Sequence, residues 1–357
     1  MILSNFVSII SDKCDGSLLT GSSYLSTENM LPNLGGYVDA SSIPNTMVTR
    51  FQADDILLSN IRPYFKKMVF ARSEGGCSND VICLRADEKL CLPKYLYYAL
   101  STDSFFNYYT ATCKGTKMPR GDKTMLMRYD LKLPSVEEQR HIVGTIGTVD
   151  DLIENLESQK ETLKIFRTKL LSDFLEHSGT NESFSAHVFF EGGAQPPKSQ
   201  HIYEPRLGYV RFIQNRDYSD ESHLTFIPKS PRNKICDETD IMMDKYGEAG
   251  KVRYGLSGAY NVALMKITPK DPWEKEFIRD FLTQDSIRRT LYASSQASTR
   301  PSLNESTFSA IKIPAFPKEK LQLYEEKGEA LLKYEILLNK KIHDYKEIKS
   351  KLLAKYF

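Results

Sequence analysis

The stretch CKGTKMPRGDKTMLMRYDLKLPSVEEQ (residues 113–139) joins a basic cluster to a short strand-like run, LKLP, and then to the start of a helix. Near the other end of the chain, STRPSLNESTFSAIKIPAFPKEKLQ (residues 298–322) repeats this order, with IKIP in place of LKLP. The two junctions lie about 180 residues apart, close to half of the chain. A junction that occurs twice at this distance predicts two copies of one structural unit.

Four further pairs of segments match in the same order and at nearly the same distance. Matches this regular are not expected by chance, so they predict a tandem duplication. They are DILLSNIRPYFKKMVFA (55–71) with DIMMDKYGEAGKVRYG (240–255), NDVICL (79–84) with YNVALM (260–265), YYALST (97–102) with RDFLTQ (279–284), and KLLSDF (169–174) with KLLAKY (351–356).

Each copy changes from a mixed composition to a purely helical pattern. Residues 1–134 and 179–316 contain short β-like runs, turns marked by glycine, and one helix-like segment each. Residues 135–178 and 317–357 follow helical periodicity. The sequence therefore predicts an α+β fold in which two similar globular domains are joined by two long helices, with pseudo-twofold symmetry.

The two helices are expected to cover each other as an antiparallel coiled coil. Ser135 begins a capping box, S-V-E-E, and each helix of about 40 residues would be roughly 60 Å long. The alternative is that each helix packs on its own globular domain. The apolar positions of the predicted seam are Ile142, Ile146, Val149, Ile153, Leu156, Leu163, Leu170 and Phe174, followed by Tyr324, Leu331, Leu338, Tyr345 and Leu352.

The composition is that of an ordinary globular protein. Of the 357 residues 41% are hydrophobic and 26% are charged, and the net charge is only +2, so a nucleic-acid surface would need local clustering of cations. The first residues do not form a signal peptide, and no apolar run is long enough to span a bilayer. The six cysteines lack paired spacing, which favours reduced thiols in a cytosolic protein.

Motifs for catalysis are missing from the sequence. It has no Gly-rich nucleotide-binding loop, no H-E-x-x-H, no metal-ligand spacing among its six histidines, and no amino-methyltransferase tetrapeptide. QPPK (195–198) comes closest to that tetrapeptide but lacks the aromatic residue. A binding protein that holds no cofactor and no metal of its own is favoured over a nuclease or methyltransferase.

Basic and aromatic residues cluster in corresponding places of the two copies. Such side chains hold phosphates and read base edges, although each cluster by itself could be a solvated surface. The candidate DNA-binding residues are Arg62, Lys66, Lys67, Lys117, Arg120, Lys123, Arg211, Gln214, Arg216, Lys245, Tyr246, Lys251 and Arg300.

The layout resembles the specificity subunit of type I restriction–modification systems along nearly the whole chain. The strings that carry the resemblance are STENMLPNLGGY (26–37), DILLSNIRPYFKKMVFA, GGCSNDV (75–81), GTKMPRGDK (115–123), LPSVEEQRHIV (133–143), GGAQPPKS (192–199), GYVRFIQNRDYSD (208–220) and DIMMDKYGEAGKV. The junction LPSVEEQ (133–139), with its Glu-Gln pair, is the most specific of them. The second junction, IPAFPKEKLQ, departs from this pattern because it has no Glu-Gln pair.

The resemblance implies a non-catalytic subunit of a prokaryotic cytoplasmic complex. Its two target-recognition domains would each read one half of a split site in double-stranded DNA. Two modification (methyltransferase) subunits would dock on the helices, with Glu138, Gln139, Ile142 and Ile146 as candidate contacts. Restriction subunits, S-adenosylmethionine, Mg²⁺ and ATP would belong to the assembled complex. The alternative function is a coiled-coil adaptor with protein-binding heads and no DNA role.

Overall fold

The computed structural model describes residues 1–115, 117–176, 179–219, 221, 223–296 and 302–357. The chain divides into two compact units, and two long helices contribute residues to both. Unit 1 consists of Met1–Asn155 with His343–Phe357, and unit 2 of Leu156–Ile342. Among the described residues, no helix has both the length and the apolar character needed to cross a membrane.

Unit 1 contains two four-stranded sheets, with strand orders β1-β8-β5-β6 and β2-β4-β7-β3. Its strands are β1 (Val7–Ile9), β2 (Lys13–Asp15), β3 (Tyr24–Leu25), β4 (Met47–Phe51), β5 (Ile56–Ser59), β6 (Met68–Phe70), β7 (Gly75–Cys77) and β8 (Val81–Ala86). Its helices are α1 (Pro93–Leu100), α2 (Asp103–Ala111), α3 (Lys123–Leu126) and the first half of α4 (Val136–Leu175).

Unit 2 contains sheets with strand orders β10-β17-β14-β15 and β12-β11-β16-β13, and the pair β18-β9. Its strands are β9 (Asn181–Ser183), β10 (Val188–Gly192), β11 (Tyr209–Ile213), β12 (Phe226–Pro228), β13 (Ile235–Cys236), β14 (Ile241–Asp244), β15 (Val252–Arg253), β16 (Gly258–Tyr260), β17 (Leu264–Pro269) and β18 (Lys312–Pro314). Its helices are α5 (Lys275–Thr283), α6 (Asp285–Ser295), the second half of α4, and most of α7 (Lys318–Tyr356).

The two units share their strand connectivity. In unit 1 the order β1-β8-β5-β6 is antiparallel throughout, and in unit 2 β10-β17-β14-β15 repeats it with corresponding strands in the same places. Each unit also has a second sheet with one parallel pair, β3–β7 in unit 1 and β11–β16 in unit 2. The predicted α+β class, with two similar units and two long helices, is confirmed.

Within unit 1 the start of α4 packs against the end of α7 in antiparallel fashion. Lys349 Nζ lies 2.6 Å from Asp150 Oδ1, and the Phe357 ring lies 5.2 Å from that of Tyr95 on α1. Ile146 is fully buried in the same core. Both helix segments therefore cover each other and the globular part of unit 1, so the two alternatives for helix packing occur together.

Within unit 2 the end of α4 packs against the start of α7, again antiparallel. Tyr334 donates its hydroxyl hydrogen bond to Gln159 Oε1 at 2.6 Å, and the Phe174 and Tyr324 rings are 4.7 Å apart. The Phe277 ring of α5 lies 5.4 Å from that of Phe174. The helix pair is thus joined to the globular part of unit 2 through an aromatic cluster.

The predicted seam is partly wrong in α7 and at one position of α4. Leu331, Tyr345 and Leu352 are only half-buried, whereas Leu321, Leu332, Leu338 and Ile342 are buried, and in α4 Leu171 takes the buried place that was predicted for Leu170. The predicted spacing of seven residues assumes a supercoil. A straight helix that packs on a globular unit follows 3.6 residues per turn, which shifts the buried stripe along the helix.

Candidate nucleic-acid interface

Two basic loops of unit 1 lie side by side. Loop 60–67 follows β5, and loop 113–122 follows α2. The backbone N–H of Arg62 donates to Pro119 O at 2.8 Å, and the N–H of Gly121 donates back to Asn60 O at 3.0 Å. Segments that are far apart in the sequence are therefore joined into one surface, called here the unit 1 basic face.

Loop 113–122 is closed as a small hairpin. Lys114 and Arg120 exchange backbone hydrogen bonds, each 3.0 Å long. The Lys114 ammonium also donates to Asp122 Oδ2 at 2.7 Å, a hydrogen bond that lowers the pKa of Asp122 and raises that of Lys114. Asp122 in turn accepts from the Thr124 backbone as the N-cap of α3. These bonds join Lys114 near one end of the loop to Arg120 and Asp122 near the other, and link Asp122 to α3.

Arg62 and Lys117 lie on the two loops of the unit 1 basic face, and Lys123 follows directly as the first residue of α3. All three are exposed, and no described acid forms an ion pair with them. Arg120 is also exposed and lies 3.0 Å from Asp80 Oδ1. The face thus combines three unpaired cations with one that is held by a neighbouring carboxylate.

Lys66 and Lys67 instead make contacts within unit 1. Lys66 lies 2.6 Å from Asp103 Oδ1 at the start of α2, and the Lys67 ammonium donates to Thr27 O at 2.6 Å. Both lysines are half-buried, so the structure gives them a role in holding loop 60–67 in position.

In unit 2, Arg211 and Gln214 are half-buried and make contacts within the unit. Arg211 lies 2.7 Å from Glu221 Oε1, and the Gln214 amide donates to Thr225 Oγ1 at 3.2 Å. Arg216 next to them is exposed, and its guanidinium donates to a backbone carbonyl at 3.3 Å. Of these three predicted residues, only Arg216 presents its charge to solvent.

The turn between β14 and β15, residues 245–251, carries the other unit 2 candidates. Lys251 lies 2.8 Å from Glu248 Oε2, and Tyr246 is 41% exposed beside the half-buried Lys245. At the base of the turn, burial raises the pKa of Asp244, while the Arg253 guanidinium, 2.9 Å away, opposes this rise. The remaining candidate, Arg300, lies outside the described residues.

The predicted partner contacts differ in accessibility. Gln139 is fully buried, where its amide accepts from Leu92 N at 2.8 Å and donates to Leu90 O at 2.9 Å and to Pro134 O at 3.0 Å. Ile142 and Ile146 are buried in the unit 1 core. Glu138 is exposed, so among these four residues only Glu138 offers its side chain to another molecule.

Two arginines on α6 were missed in the sequence, although adjacent arginines in a helix are a visible signal. Arg288 and Arg289 are exposed and lie beside the turn 245–251. Across the described part of the chain, no group of three or more His, Cys, Asp or Glu residues has the arrangement of a metal site.

A family model, the type I restriction modification DNA specificity domain, matches residues 38–164. The MjaIX type I restriction enzyme specificity subunit of Methanocaldococcus jannaschii is 24% identical over 298 residues, which are 73% of this chain and 67% of that protein. The MjaVIII specificity subunit of the same organism is 31% identical over 96 residues, 27% of this chain and 22% of that protein.

Among solved structures, the S subunit of a type I restriction–modification system from M. genitalium has the same fold. It aligns with a TM-score of 0.67 and 16% identity, and the alignment covers 100% of this chain and 95% of that one. The predicted resemblance to type I restriction–modification specificity subunits thus agrees with the family model over residues 38–164 and with the fold of a solved S subunit. The similar proteins are named as specificity subunits, which agrees with the prediction that the chain is not an enzyme.

Proposed function

We propose that the chain recognises DNA for a type I restriction–modification complex and that each unit reads one half of a bipartite target. The observation that carries this proposal is the repeated placement of a basic loop. Loop 60–67 joins β5 to β6, and the turn 245–251 joins β14 to β15, which are the corresponding strands of the two units. Because loop 60–67 and the turn 245–251 occupy equivalent positions on similar sheets, each could contact one of two DNA half-sites.

The charge distribution supports this role. The chain has a net charge of only +2, yet the unit 1 basic face gathers Arg62, Lys117, Arg120 and Lys123 around two joined loops. Unpaired Lys and Arg side chains neutralise phosphates and release counterions, which supplies most of the affinity for DNA. The half-exposed Tyr64 ring beside Arg62 adds a flat surface for contacts with sugar or base.

In this proposal the catalysis belongs to partner proteins. Modification subunits would dock on the long helices and methylate adenine with S-adenosylmethionine, and Glu138 is the exposed candidate contact at the start of α4. Restriction subunits that use ATP and Mg²⁺ would add cleavage, and the complex would work in a prokaryotic cytoplasm. The alternative, a protein-binding adaptor without a DNA role, is not favoured because the similar proteins are specificity subunits.

The direct test is complementation of methylation. The modification subunit of the same system is expressed in cells with and without this chain, and methylated adenines are mapped along the genome. The proposal predicts methylation at one bipartite sequence only when both proteins are present. Methylation that does not depend on this chain, or that lacks a bipartite sequence, would contradict it.

A further inference from the structure

A cavity of about 440 Å³ lies between the turn 245–251 and α6 of unit 2. One wall is formed by Gly247, Glu248, Ala249 and Lys251, and the other by Arg288, Arg289 and Tyr292. Its volume is within the range of sites that hold small ligands. The cavity is open to solvent, so a segment of a larger molecule can enter it.

The backbone of the turn fixes the shape of the cavity. Asp244 N donates to Lys251 O and Gly250 N donates to Asp244 O, both at 3.0 Å. Gly250 has a φ of +88°, and a Cβ at this position would lie 3.2 Å from Leu291 Cβ. Glycine therefore allows the turn to rest directly on α6 in a left-handed conformation that other residues rarely adopt.

The charges around the cavity do not cancel. Glu248 is bonded by Lys251 at 2.8 Å and by Arg253 at 2.9 Å, which neutralises this carboxylate. Arg288 is 3.8 Å from Asp285, but both side chains are more than half exposed, so this contact is weak. Arg289 forms no ion pair with a described acid. The two α6 guanidinium groups thus face the solvent with little compensation.

Paired guanidinium groups favour phosphate, because their planar N–H donors match two phosphate oxygens at once. Gly247, with a φ of +75°, has open space where a Cβ would stand, so a ligand can approach the backbone closely. Tyr292 is 50% exposed and presents a flat ring to a neighbouring sugar or base. We infer that Arg288 and Arg289 hold a backbone phosphate of bound DNA in this cavity, an inference that rests on the proposed function.

Unit 1 has a different arrangement at the corresponding place. Helices α2 and α6 both begin with Asp-Ser, and this alignment puts Phe106 and Asn107 where α6 has its two arginines. Phe106 is buried in the unit 1 core. The phosphate clamp is therefore a property of unit 2, and unit 1 relies on its basic face.

The test is the salt dependence of binding to random-sequence duplex DNA, measured on the full chain alone and with its modification subunit. Removing two phosphate contacts by Arg288→Ala/Arg289→Ala reduces the slope of log K against log salt by about 2 and weakens binding about tenfold at physiological salt. The control variant Arg206→Ala/Arg232→Ala removes the same charge from exposed positions of unit 2 that do not line the cavity, and it should keep the wild-type slope.

The conservative variant Arg288→Lys/Arg289→Lys separates charge from geometry. We expect it to keep the wild-type slope but to bind less tightly, because lysine cannot form the bidentate contact. If the alanine variant fails to fold, as judged by circular dichroism, the lysine variant provides the test. Wild-type affinity in the lysine variant would then overturn the clamp.

The outcomes distinguish this inference from the proposed function. A wild-type slope in a folded alanine variant overturns the phosphate clamp and leaves the DNA role intact. No DNA binding by the wild-type chain, with or without its partner, overturns both. The last experiment adds inorganic phosphate, at constant ionic strength, to the wild-type chain and to the alanine variant. If phosphate binds to the wild-type chain at low millimolar concentration, does not bind to the alanine variant and leaves DNA affinity unchanged, the cavity is a site for free anions and the assignment to the DNA backbone is wrong.

Discussion

Arg167 on α4 and Asp280 on α5 form a buried ion pair inside unit 2, with Arg167 Nε 3.1 Å from Asp280 Oδ1. Tyr324 on α7 donates to the other oxygen of the same carboxylate at 2.8 Å. Burial disfavours the guanidinium charge, but attraction by Asp280 and Glu276 outweighs this effect and raises the pKa of Arg167. One carboxylate therefore joins both long helices to the globular part of unit 2.

Loss of Arg167 should destabilise unit 2 strongly. Arg167→Ala leaves the buried Asp280 carboxylate without its counter-charge, whereas Glu276 keeps Arg279 at 2.9 Å, and breaking a buried pair in this way costs about 3–5 kcal/mol. Chemical denaturation measures the change in the free energy of unfolding. Lys164→Ala is the matched control on the same helix, because its partner Glu161 and Lys164 itself are mostly exposed. An equal effect of the two substitutions would contradict the structural role of Arg167.

At the start of α4, we expect Gln139 to stabilise the fold and Glu138 to contact a partner. Gln139→Leu leaves Leu92 N, Leu90 O and Pro134 O without their buried partner, so we expect a loss of about 2–4 kcal/mol in stability. Glu138→Ala should leave the free energy of unfolding within about 0.5 kcal/mol of wild type.

Assembly with the modification subunit is the second measurement on this pair. By analytical ultracentrifugation, Glu138→Ala should weaken the complex although the isolated chain is as stable as wild type. Normal assembly of this variant would remove Glu138 from the docking surface, and normal stability of Gln139→Leu would contradict the buried role of Gln139.

The unit 1 basic face should respond to substitutions at both ends of one ion pair. Arg120→Ala removes a cation and should lower affinity for duplex DNA, with a salt slope smaller by about 0.9. Asp80→Asn frees Arg120 from the carboxylate 3.0 Å away and should raise the affinity. Electrophoretic mobility shifts at several salt concentrations measure both effects. Lys89→Ala serves as the control at an exposed position of unit 1 outside this face. The Arg120 and Asp80 variants must change the affinity for duplex DNA in opposite directions. A change in the same direction would remove Arg120 from the interface.

Unit 2 should show a pH dependence that comes from His187. Its Nδ1 lies 3.1 Å from Glu274 Oε1 and its Nε2 lies 3.0 Å from Glu182 Oε2. The hydrogen bond to Glu274 raises the pKa of His187 above 6.5, although burial opposes the rise. The folded state therefore binds this proton more tightly than the unfolded chain does. The resulting stabilisation is complete below about pH 6.5 and is lost as the pH rises through the folded-state pKa.

Comparison of wild type with His187→Gln isolates this contribution. The difference in unfolding free energy between the two proteins should shrink as the pH increases from about 6 to about 8. Thermal or chemical denaturation in buffers of equal ionic strength provides the values. A difference that stays constant, or grows with pH, would show that the imidazolium is not held by the two glutamates.

Features that depend on neighbouring residues, or that are repeated along the chain, could be predicted from the sequence. The helix start at Ser135 is one example, since Ser135 Oγ accepts from the Glu138 backbone at 3.2 Å. The duplication is another, because β5 and β14 carry matched segments and occupy matched positions in their sheets. Both depend on residues that are close in sequence or on patterns that can be counted.

Which polar side chains remain exposed could not be predicted in the same way. Arg211 and Arg216 look alike in the sequence, but Arg211 is half-buried with Glu221 Oε1 2.7 Å away, whereas Arg216 is exposed and lies 3.6 Å from Asp217 Oδ1. The resemblance predicts Gln139 as a partner contact, but its amide is buried and donates to Leu90 O, 49 residues earlier in the loop before α1. Such contacts are decided by the tertiary fold, which the local pattern does not encode.

The central claim, that each unit reads one half of the DNA target, is tested most directly by exchanging residues 1–134 for those of a related specificity subunit. Methylated adenines are then mapped in cells that express the hybrid with its modification subunit. We expect one half of the methylated sequence to change and the other half to stay as it is in wild type. A change in both halves, or in neither, would contradict the account.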